Sequence, residues 1–355
     1  ESKSLFVPAV YTELTGDFVP AETDASTLAL PYGAFTALEK ETFYQDHTGS
    51  TSYDVENGVH IEMLVAEYTL NVPVLLPSSV KGMVTLTTAS ATAAQFPKRD
   101  AGTTSTIKRG FAGPSMFTVS GNLLLTNIIL DGVKDNYTAE GNGGITNVQN
   151  GGKLTITEGA YLQYSRTTGH GGAVYAAPGT AIVMNGGYVN WNECESTGNG
   201  AGIYLSEGAL MKLSGTPSFG GPGVDIGGNI VTKNGNYRNV ELIAQTNGDR
   251  QYTKPRQDIF IAGYGNTDAA SLLVNNMLEA EDGSIWIWAE KQNHYETLMQ
   301  FAFMDTNDAE NLKAFRNAQT DDETKNTTGD YLYGVLGESG QINWFGIPGS
   351  RRVIL

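Results

Sequence analysis

Two pairs of side chains recur 27 residues apart, Tyr164 with Trp191 and Arg166 with Glu193. Flat aromatic faces stack on sugar rings, and exposed aromatic side chains are enriched at binding sites. If the four side chains point outward, they form an aromatic ladder flanked by polar groups. If they point inward, the rings stack inside a corner or under a neighbouring loop, since large aromatic residues are mostly buried. We take these four residues as the candidate ligand-binding site.

The acidic residues make a weaker case for catalysis. Hydrolysis of a glycoside uses carboxyl groups held about 5 to 10 Å apart. Glu193 and Glu195 are two positions apart and can project together, with Arg166 one repeat earlier. A lyase would also need several aspartates around calcium and a basic side chain, and residues 142–228 hold no aspartate cluster. We therefore interpret these acids as exposed, solvated charges and predict no catalytic residue.

Other residue types that carry chemistry have structural interpretations. The segment DTNDAEN (305–311) alternates oxygen ligands but lacks the central glycine of a calcium loop, so Asn307 and Glu310 favour a helix capping box. Cys194 is the single cysteine, which excludes an intrachain disulfide and favours an inert, packed thiol. We predict no metal and no cofactor, because the histidines lack the spacing of a zinc site: His47, His60, His170 and His294.

Composition and charge exclude several classes of function. The chain has 355 residues, 43 of them glycine, and only 17% are charged, which favours β structure with many turns. The net charge of −16 argues against nucleic acid, since phosphate binding needs clustered lysine and arginine. No apolar run reaches the length of a membrane span, so we expect no membrane insertion.

A repeat of about 29 residues predicts the elements that position these side chains. Apolar residues alternate at i and i+2, which is the spacing of a strand rather than of a helix. Gly-Gly pairs break the strands at corners, and no helix follows them, so they are not phosphate-binding loops. The recurring apolar sets are Leu154/Ile156, Ile182/Met184 and Met211/Leu213, and Ile145, Val174 and Ile203.

Three short strands and three corners in each repeat predict an all-β fold, a parallel β-helix, over residues 59–265. Residues 1–58 do not fit the repeat and are predicted to be an N-terminal cap, with Phe35, Leu38 and Phe43 on a short helical face. Residues 266–355 are predicted to be a small mixed α/β cap or lobe. Its predicted parts are helical spacing in 270–283 and 294–319, a helix near 308–318, a strand in 284–291 buried on both faces, and a closing coil in 330–346.

The repeats GGAVYAAPGTAIVMNGGYVNWN (171–192) and GAGIYLSEGALMKLSGTPSFGG (200–221) resemble the right-handed parallel β-helix repeats of bacterial cell-surface proteins. They are similar to repeats of large Gram-positive adhesins and, more distantly, of polymorphic outer-membrane proteins. The resemblance implies an extracellular, non-catalytic adhesin module, part of a larger and wall-anchored protein, that binds a host glycan or glycoprotein. Two alternatives stay open, namely a polysaccharide lyase or glycoside hydrolase built on a β-helix, and a structural stalk.

Overall fold

The computed structural model describes sixteen stretches of the chain, and almost all of their regular structure is β-strand. The described residues are 3–7, 59–63, 66–78, 82–88, 102–195, 198–220, 230–232, 242–246, 249–252, 256–263, 271–281, 284–289, 298–304, 314–317, 333–336 and 341–345. The first ten strands are β1 (Lys3–Val7), β2 (Val59–Met63), β3 (Glu67–Leu70), β4 (Val74–Leu76), β5 (Met83–Thr88), β6 (Thr106–Arg109), β7 (Phe117–Val119), β8 (Asn122–Leu125), β9 (Ile128–Asp131) and β10 (Thr146–Val148). The next ten are β11 (Lys153–Ile156), β12 (Ala160–Gln163), β13 (Arg166–Thr167), β14 (Val174–Ala176), β15 (Ala181–Met184), β16 (Tyr188–Asn190), β17 (Glu193–Glu195), β18 (Ile203–Leu205), β19 (Leu210–Gly215) and β20 (Ile230–Thr232). The last nine are β21 (Leu242–Thr246), β22 (Asp249–Tyr252), β23 (Ile259–Ile261), β24 (Ser271–Leu278), β25 (Ile285–Ala289), β26 (Leu298–Met304), β27 (Phe315–Asn317), β28 (Tyr333–Leu336) and β29 (Gln341–Phe345).

The strands stack in parallel, coil upon coil, as an all-β solenoid. The first sheet has two columns, one running β4, β7, β10, β14, β18, β23, β25, β27 and the other β1, β2, β5, β8, β11, β15, β19, β24, β26. The second sheet stacks β3, β6, β9, β12 and β16, and the third stacks β13, β17 and β20. Each described coil therefore bonds its backbone to the coils before and after it, which satisfies the strand edges inside the stack.

The core lies inside the stack and is built from the inward residue of every second position. Leu154, Ile182 and Met211 pair in register, as do Ile156, Met184 and Leu213, so the predicted apolar ladders are confirmed. Each of these six side chains is fully buried. Burying an aliphatic side chain of this size contributes about 1.5 to 3 kcal/mol, so the ladders supply much of the driving force for coiling.

One predicted alignment is wrong by a residue. Thr146, not Ile145, pairs with Val174, which in turn pairs with Ile203. The offset between paired residues is 28 from Thr146 to Val174 (174 − 146) but 29 from Val174 to Ile203 (203 − 174), so a constant spacing of 29 selects Ile145 instead. Ile145 is nevertheless fully buried beside the ladder, so the spacing selected a core residue but not the paired one.

The C-terminal part is built from strands where the sequence suggested helices. Residues 271–278 form β24, residues 298–304 form β26, and the end of the predicted 308–318 helix forms β27. Parallel pairing thus continues past residue 265, because β24 and β25 stack on β19 and β23. The predicted strand in 284–291 is confirmed as β25, in which Ile285, Trp286 and Ile287 are buried.

The described residues at the two ends of the stack are strands. β1 pairs in parallel with β2, so residues 3–7 extend the first sheet, whereas Phe35, Leu38 and Phe43 lie outside the described residues. The closing coil expected in 330–346 is instead a pair of antiparallel strands, since β29 pairs antiparallel with both β26 and β28. The segment 305–311 also lies outside the described residues. The described part of the chain contains no apolar helix of membrane-crossing length.

A fully buried ion pair joins three segments near the C-terminal end of the described core. Arg256 and Asp258 are both inaccessible, and their closest N–O distance is 2.8 Å. Arg256 also donates to the carbonyls of Phe219 (3.0 Å) and Ser284 (2.8 Å). Asp258 accepts a hydrogen bond from the amide of Trp286 at 2.9 Å. The pair therefore fixes the approach of three chain segments that the repeat pattern does not align.

Candidate functional site

Among the described residues, the exposed aromatic side chains lie on or beside the outer face of the second sheet. In β12 and β16 the middle residues Leu162 and Val189 are buried, so the residues on either side of them point outward. The outward positions pair in register as Tyr161 with Tyr188 and Gln163 with Asn190. Four large hydrophobic side chains are exposed among the described residues, and three of them are on or beside this face: Tyr164, Tyr188 and Trp191. We call Tyr161, Gln163, Tyr164, Tyr188, Asn190 and Trp191 the aromatic face.

Two ring stacks border the aromatic face. The rings of Tyr161 and Tyr188 lie parallel, with centroids 4.3 Å apart and an interplanar angle of 5°. Those of Tyr164 and Trp191 are 6.1 Å apart at 18°. Between the two stacks lie Gln163, whose Nε2 donates to Asp131 at 3.4 Å, and Asn190, whose Oδ1 is buried, so one atom of each amide is left to face a ligand. This alternation of ring, amide and ring offers both stacking and hydrogen bonding to one ligand.

Tyr164 and Trp191 occupy backbone conformations that are costly for such residues. Their φ angles are 49° and 58°, in the left-handed region. That region costs a residue with a side chain about 1 to 2 kcal/mol, whereas glycine and asparagine tolerate it. Other corners of the solenoid use Asn127 and Asn150 at similar angles. Two successive coils thus hold an aromatic ring at a position where the backbone favours a smaller residue.

The charged pair predicted beside the rings is part of a three-residue ion cluster. Glu193 pairs with Arg166 on the preceding coil at 2.8 Å, and Lys134 reaches Glu193 at 2.7 Å. The Lys134 ammonium also donates to the carbonyl of Trp191 at 3.0 Å. Lys134 follows β9, Arg166 lies in β13 and Glu193 in β17, so the cluster ties three successive coils beneath the rings.

Burial and charge act in opposite directions on Glu193. Burial alone would raise the pKa of its carboxyl group, because charge is poorly solvated inside the protein. Hydrogen bonds and charges from Lys134 and then Arg166 outweigh that effect, and the pKa lies below its ordinary value. The interpretation of Glu193 as an exposed, solvated charge is therefore wrong, since only 5% of the residue is accessible. At neutral pH it is an ionised structural partner rather than a proton donor.

Acid should weaken this cluster. A carboxyl group whose pKa is lowered on folding contributes stability that is complete above its unfolded pKa and lost as pH falls through the folded value. We expect Glu193→Gln to lower the free energy of unfolding by about 1 to 3 kcal/mol at pH 7, because it leaves two partly buried cations unpaired. Urea unfolding of wild type and Glu193→Gln at several pH values should show the difference in their free energies of unfolding shrinking below about pH 4. A constant difference down to about pH 3 would contradict this assignment.

The structure brings all four predicted residues to one corner and adds residues that the sequence argument missed. Arg166 pairs with Glu193 in register, and Tyr164 stacks on Trp191. Tyr161 and Tyr188 were missed, although they repeat the same 27-residue spacing three positions earlier. Lys134 could not be found this way, because β9 pairs with β12 at an offset of 32 residues and not at the regular period.

The remaining candidates have structural roles among the described residues. Cys194 is a fully buried thiol that donates to the carbonyl of Asn199 at 3.5 Å, as expected of a packed cysteine. His170 is half-buried rather than an exposed turn residue, and its Nδ1 accepts from the amide of Asn199 at 3.1 Å. Its ring packs on Tyr204, in a ladder that continues to Tyr175 and Phe260. In the described part of the chain, no group of three or more His, Cys, Asp or Glu side chains is placed to hold a metal ion.

The fold and the aromatic face define the class of this molecule as an all-β parallel solenoid with exposed, stacked aromatic side chains on one face. No protein-family model, no curated protein and no solved structure matches the chain. The function is therefore argued from the geometry of the aromatic face.

Proposed function

We propose that this solenoid is a non-catalytic binding module of the adhesin type, which binds a host glycan or glycoprotein at a bacterial cell surface. The observation that carries the proposal is the concentration of exposed rings on one face, beside the amides of Gln163 and Asn190. Sugars present apolar C–H faces and hydroxyl groups, so they match a surface that alternates rings with amides. Scattered exposed hydrophobic residues would carry no such argument, but a contiguous set on one face does.

The backbone geometry adds a second argument. Aromatic residues at positive φ persist only where the surrounding structure holds them, and such outliers cluster at functional sites. The hydrogen bond from Lys134 to the carbonyl of Trp191 and the ion pairs of Glu193 provide that support. A surface whose rings are held in place before binding loses less conformational entropy when a ligand arrives.

The same geometry argues for a binding role over hydrolysis. Glu193 is ionised, buried and held by two cations, and Glu195 is not part of the ion cluster. The two carboxyl groups therefore differ in surroundings and do not form the exposed acid pair considered from the sequence. A general acid for glycoside cleavage needs a raised pKa, which is opposite to the direction found for Glu193.

The proposal includes finer features of the fold. We take the solenoid to be right-handed, because parallel crossover connections in one sheet are right-handed in nearly all proteins. The antiparallel strands β28 and β29 cover the last parallel strands, which supports a C-terminal cap. At the other end β1 extends the first sheet, and the remainder of residues 1–58 is proposed to be the cap.

Replacement of Trp191 by asparagine tests the proposed site. Asparagine tolerates the left-handed conformation, as Asn127 and Asn150 show at other corners, so the variant should keep its fold while losing the ring. We expect binding to weaken at least about tenfold, as for a buried aromatic anchor. The measurement is titration of the full chain against immobilised host glycans, mucins and secreted glycoproteins, with each bound sugar examined for cleavage.

Met83→Ala is the matched control, because Met83 is the fourth exposed large hydrophobic residue and lies in β5, in a different sheet. It should leave binding within about twofold. Equal binding by wild type and Trp191→Asn would place the site elsewhere. Cleavage of a bound sugar would favour the enzyme, and no saturable binding to any member of the panel would favour a structural stalk.

A further inference from the structure

We infer that the aromatic face contains a defined subsite, in which a neutral sugar ring stacks on Tyr188 above Ser218. The inference rests on the proposed function and deepens it, since it names the class of sugar and the place of one ring. Three observations carry it: the orientation of the Tyr161–Tyr188 stack, the residue that follows Tyr188 on the next coil, and the pairing of the nearby cations.

The stack of Tyr161 and Tyr188 fixes the direction in which their faces point. A centroid distance of 4.3 Å with nearly parallel planes requires the rings to overlap face to face. Because the two residues lie on adjacent coils, the ring faces point along the direction in which the coils stack. Tyr161 covers the face of Tyr188 that points to the preceding coil, and the opposite face points to the following coil.

The following coil places a small residue at this position. Ser218 forms a parallel bridge with Tyr188, and the amide of Ser218 donates to the carbonyl of Gly187 at 2.9 Å. Its neighbours Pro217 and Phe219 are buried, so Ser218 takes the outward position. Among the described residues the aromatic column therefore stops at Tyr188, of which 36% is exposed, because Ser218 is the residue beside it on the next coil. We call the exposed part of Tyr188 next to Ser218 the shelf. A pyranose has the thickness and the apolar face to continue the stack.

The charges around the aromatic face favour a neutral sugar over an acidic one. Among the described residues, the accessible cations on or beside the second sheet are paired with carboxylates: Lys108 with Glu67 at 2.6 Å, and Lys134 and Arg166 with Glu193. Arg109 of β6 is buried and donates to the carbonyls of Pro114 and Gly144, so it does not reach this surface. An acidic sugar would need an unpaired cation, and a chain of net charge −16 repels it at longer range. Gln163 and Asn190 lie two positions along their strands from Tyr161 and Tyr188. The Gln163 Nε2 donates to Asp131 at 3.4 Å and the Asn190 Oδ1 is buried, so the atoms offered to sugar hydroxyl groups are the Gln163 Oε1 acceptor and the Asn190 Nδ2 donor.

The test fills the shelf instead of removing the ring. In Ser218→Tyr a third ring continues the column and occupies the place proposed for the sugar, so affinity for the bound neutral sugar should fall about tenfold or more. Ser218→Ala keeps the shelf open and should bind within about twofold of wild type. The probes are lactose, cellobiose and N-acetyllactosamine, with sialyllactose as the charged counterpart of lactose, each titrated against the full folded chain by calorimetry.

The outcomes separate the inference from the proposed function. Loss of binding in Ser218→Tyr but not in Ser218→Ala supports the subsite. Wild-type affinity in Ser218→Tyr, together with weakened binding in Trp191→Asn, would overturn the subsite and leave the binding function standing. Tighter binding of sialyllactose than of lactose would overturn the neutral class. If wild type binds none of the four probes, the inference fails, and the broader panel then decides whether the proposed function fails with it.

Discussion

Replacement of Asp258 by alanine should lower the free energy of unfolding by about 3 to 5 kcal/mol, the largest effect we expect from one side chain in this protein. The carboxylate is fully buried and pairs with the equally buried Arg256 at 2.8 Å. Without it, the guanidinium remains in the core beside the carbonyls of Phe219 and Ser284 but without its carboxylate counter-charge. The amide of Trp286 also loses its acceptor. Chemical denaturation followed by circular dichroism measures the change.

Two further variants show whether the buried charge is the cause. Asp258→Ala combined with Arg256→Met removes both charges and should recover part of the lost stability, because no unpaired ion remains. Asp135→Ala removes an exposed carboxylate and should change the free energy of unfolding by less than about 0.5 kcal/mol. If Asp258→Ala alone unfolds within about 1 kcal/mol of wild type, the pair does not hold these segments together.

Replacement of Gly172 by alanine should be the next most damaging change, at about 3 kcal/mol. Gly172 lies in a Gly-Gly corner where successive coils approach closely, and its amide donates to the carbonyl of Gly200 at 3.1 Å. An added Cβ would collide with the carbonyl oxygen of Ala201 and lie 2.8 Å from that of Glu193. Both obstacles are backbone atoms of other strands and turns, so they cannot move aside without breaking the hydrogen bonds between coils.

Gly179→Ala separates crowding from backbone strain. Gly179 has a φ of 74°, but a Cβ there would meet nothing within 4 Å. The expected cost is about 1 kcal/mol, from the left-handed conformation alone. Gly172 has no positive φ, so its cost is crowding alone. The midpoint temperature of thermal unfolding should therefore be much lower for Gly172→Ala than for Gly179→Ala. Equal midpoint temperatures would show that the coils can separate at this corner to make room for the Cβ.

The regular middle of the fold could be predicted from the sequence because its information is local. Alternation of apolar and polar residues fixes which side chains face inward, and a repeat length near 29 residues predicts which positions of successive coils lie side by side. Leu154, Ile182 and Met211 accordingly align as expected. The same periodicity brought Arg166 to Glu193 and Tyr164 to Trp191. Where the offset between coils differs by one residue from the regular period, the pattern selected Ile145 as the partner of Val174 instead of Thr146.

The C-terminal strands were missed because their patterns are ambiguous. Residues 271–278 and 298–304 mix apolar and polar side chains in short runs that suit either a helix or a strand. Their strand form is decided by neighbours, since β24 stacks on β19 and β26 stacks on β24. A preceding coil with an open parallel edge offers backbone partners that a helix would leave unpaired.

The sequence by itself determined the solenoid class, the inward ladders and the two residue pairs at the candidate corner, because each depends on spacing within one repeat. Only the tertiary structure decided that Tyr164 and Trp191 point outward, that Glu193 is buried between Lys134 and Arg166, and that Arg256 pairs with Asp258. The same holds for the shelf at Tyr188, which depends on the residue placed beside it by the next coil. These features depend on offsets between coils, and insertions at corners change those offsets without changing the repeat pattern within a strand.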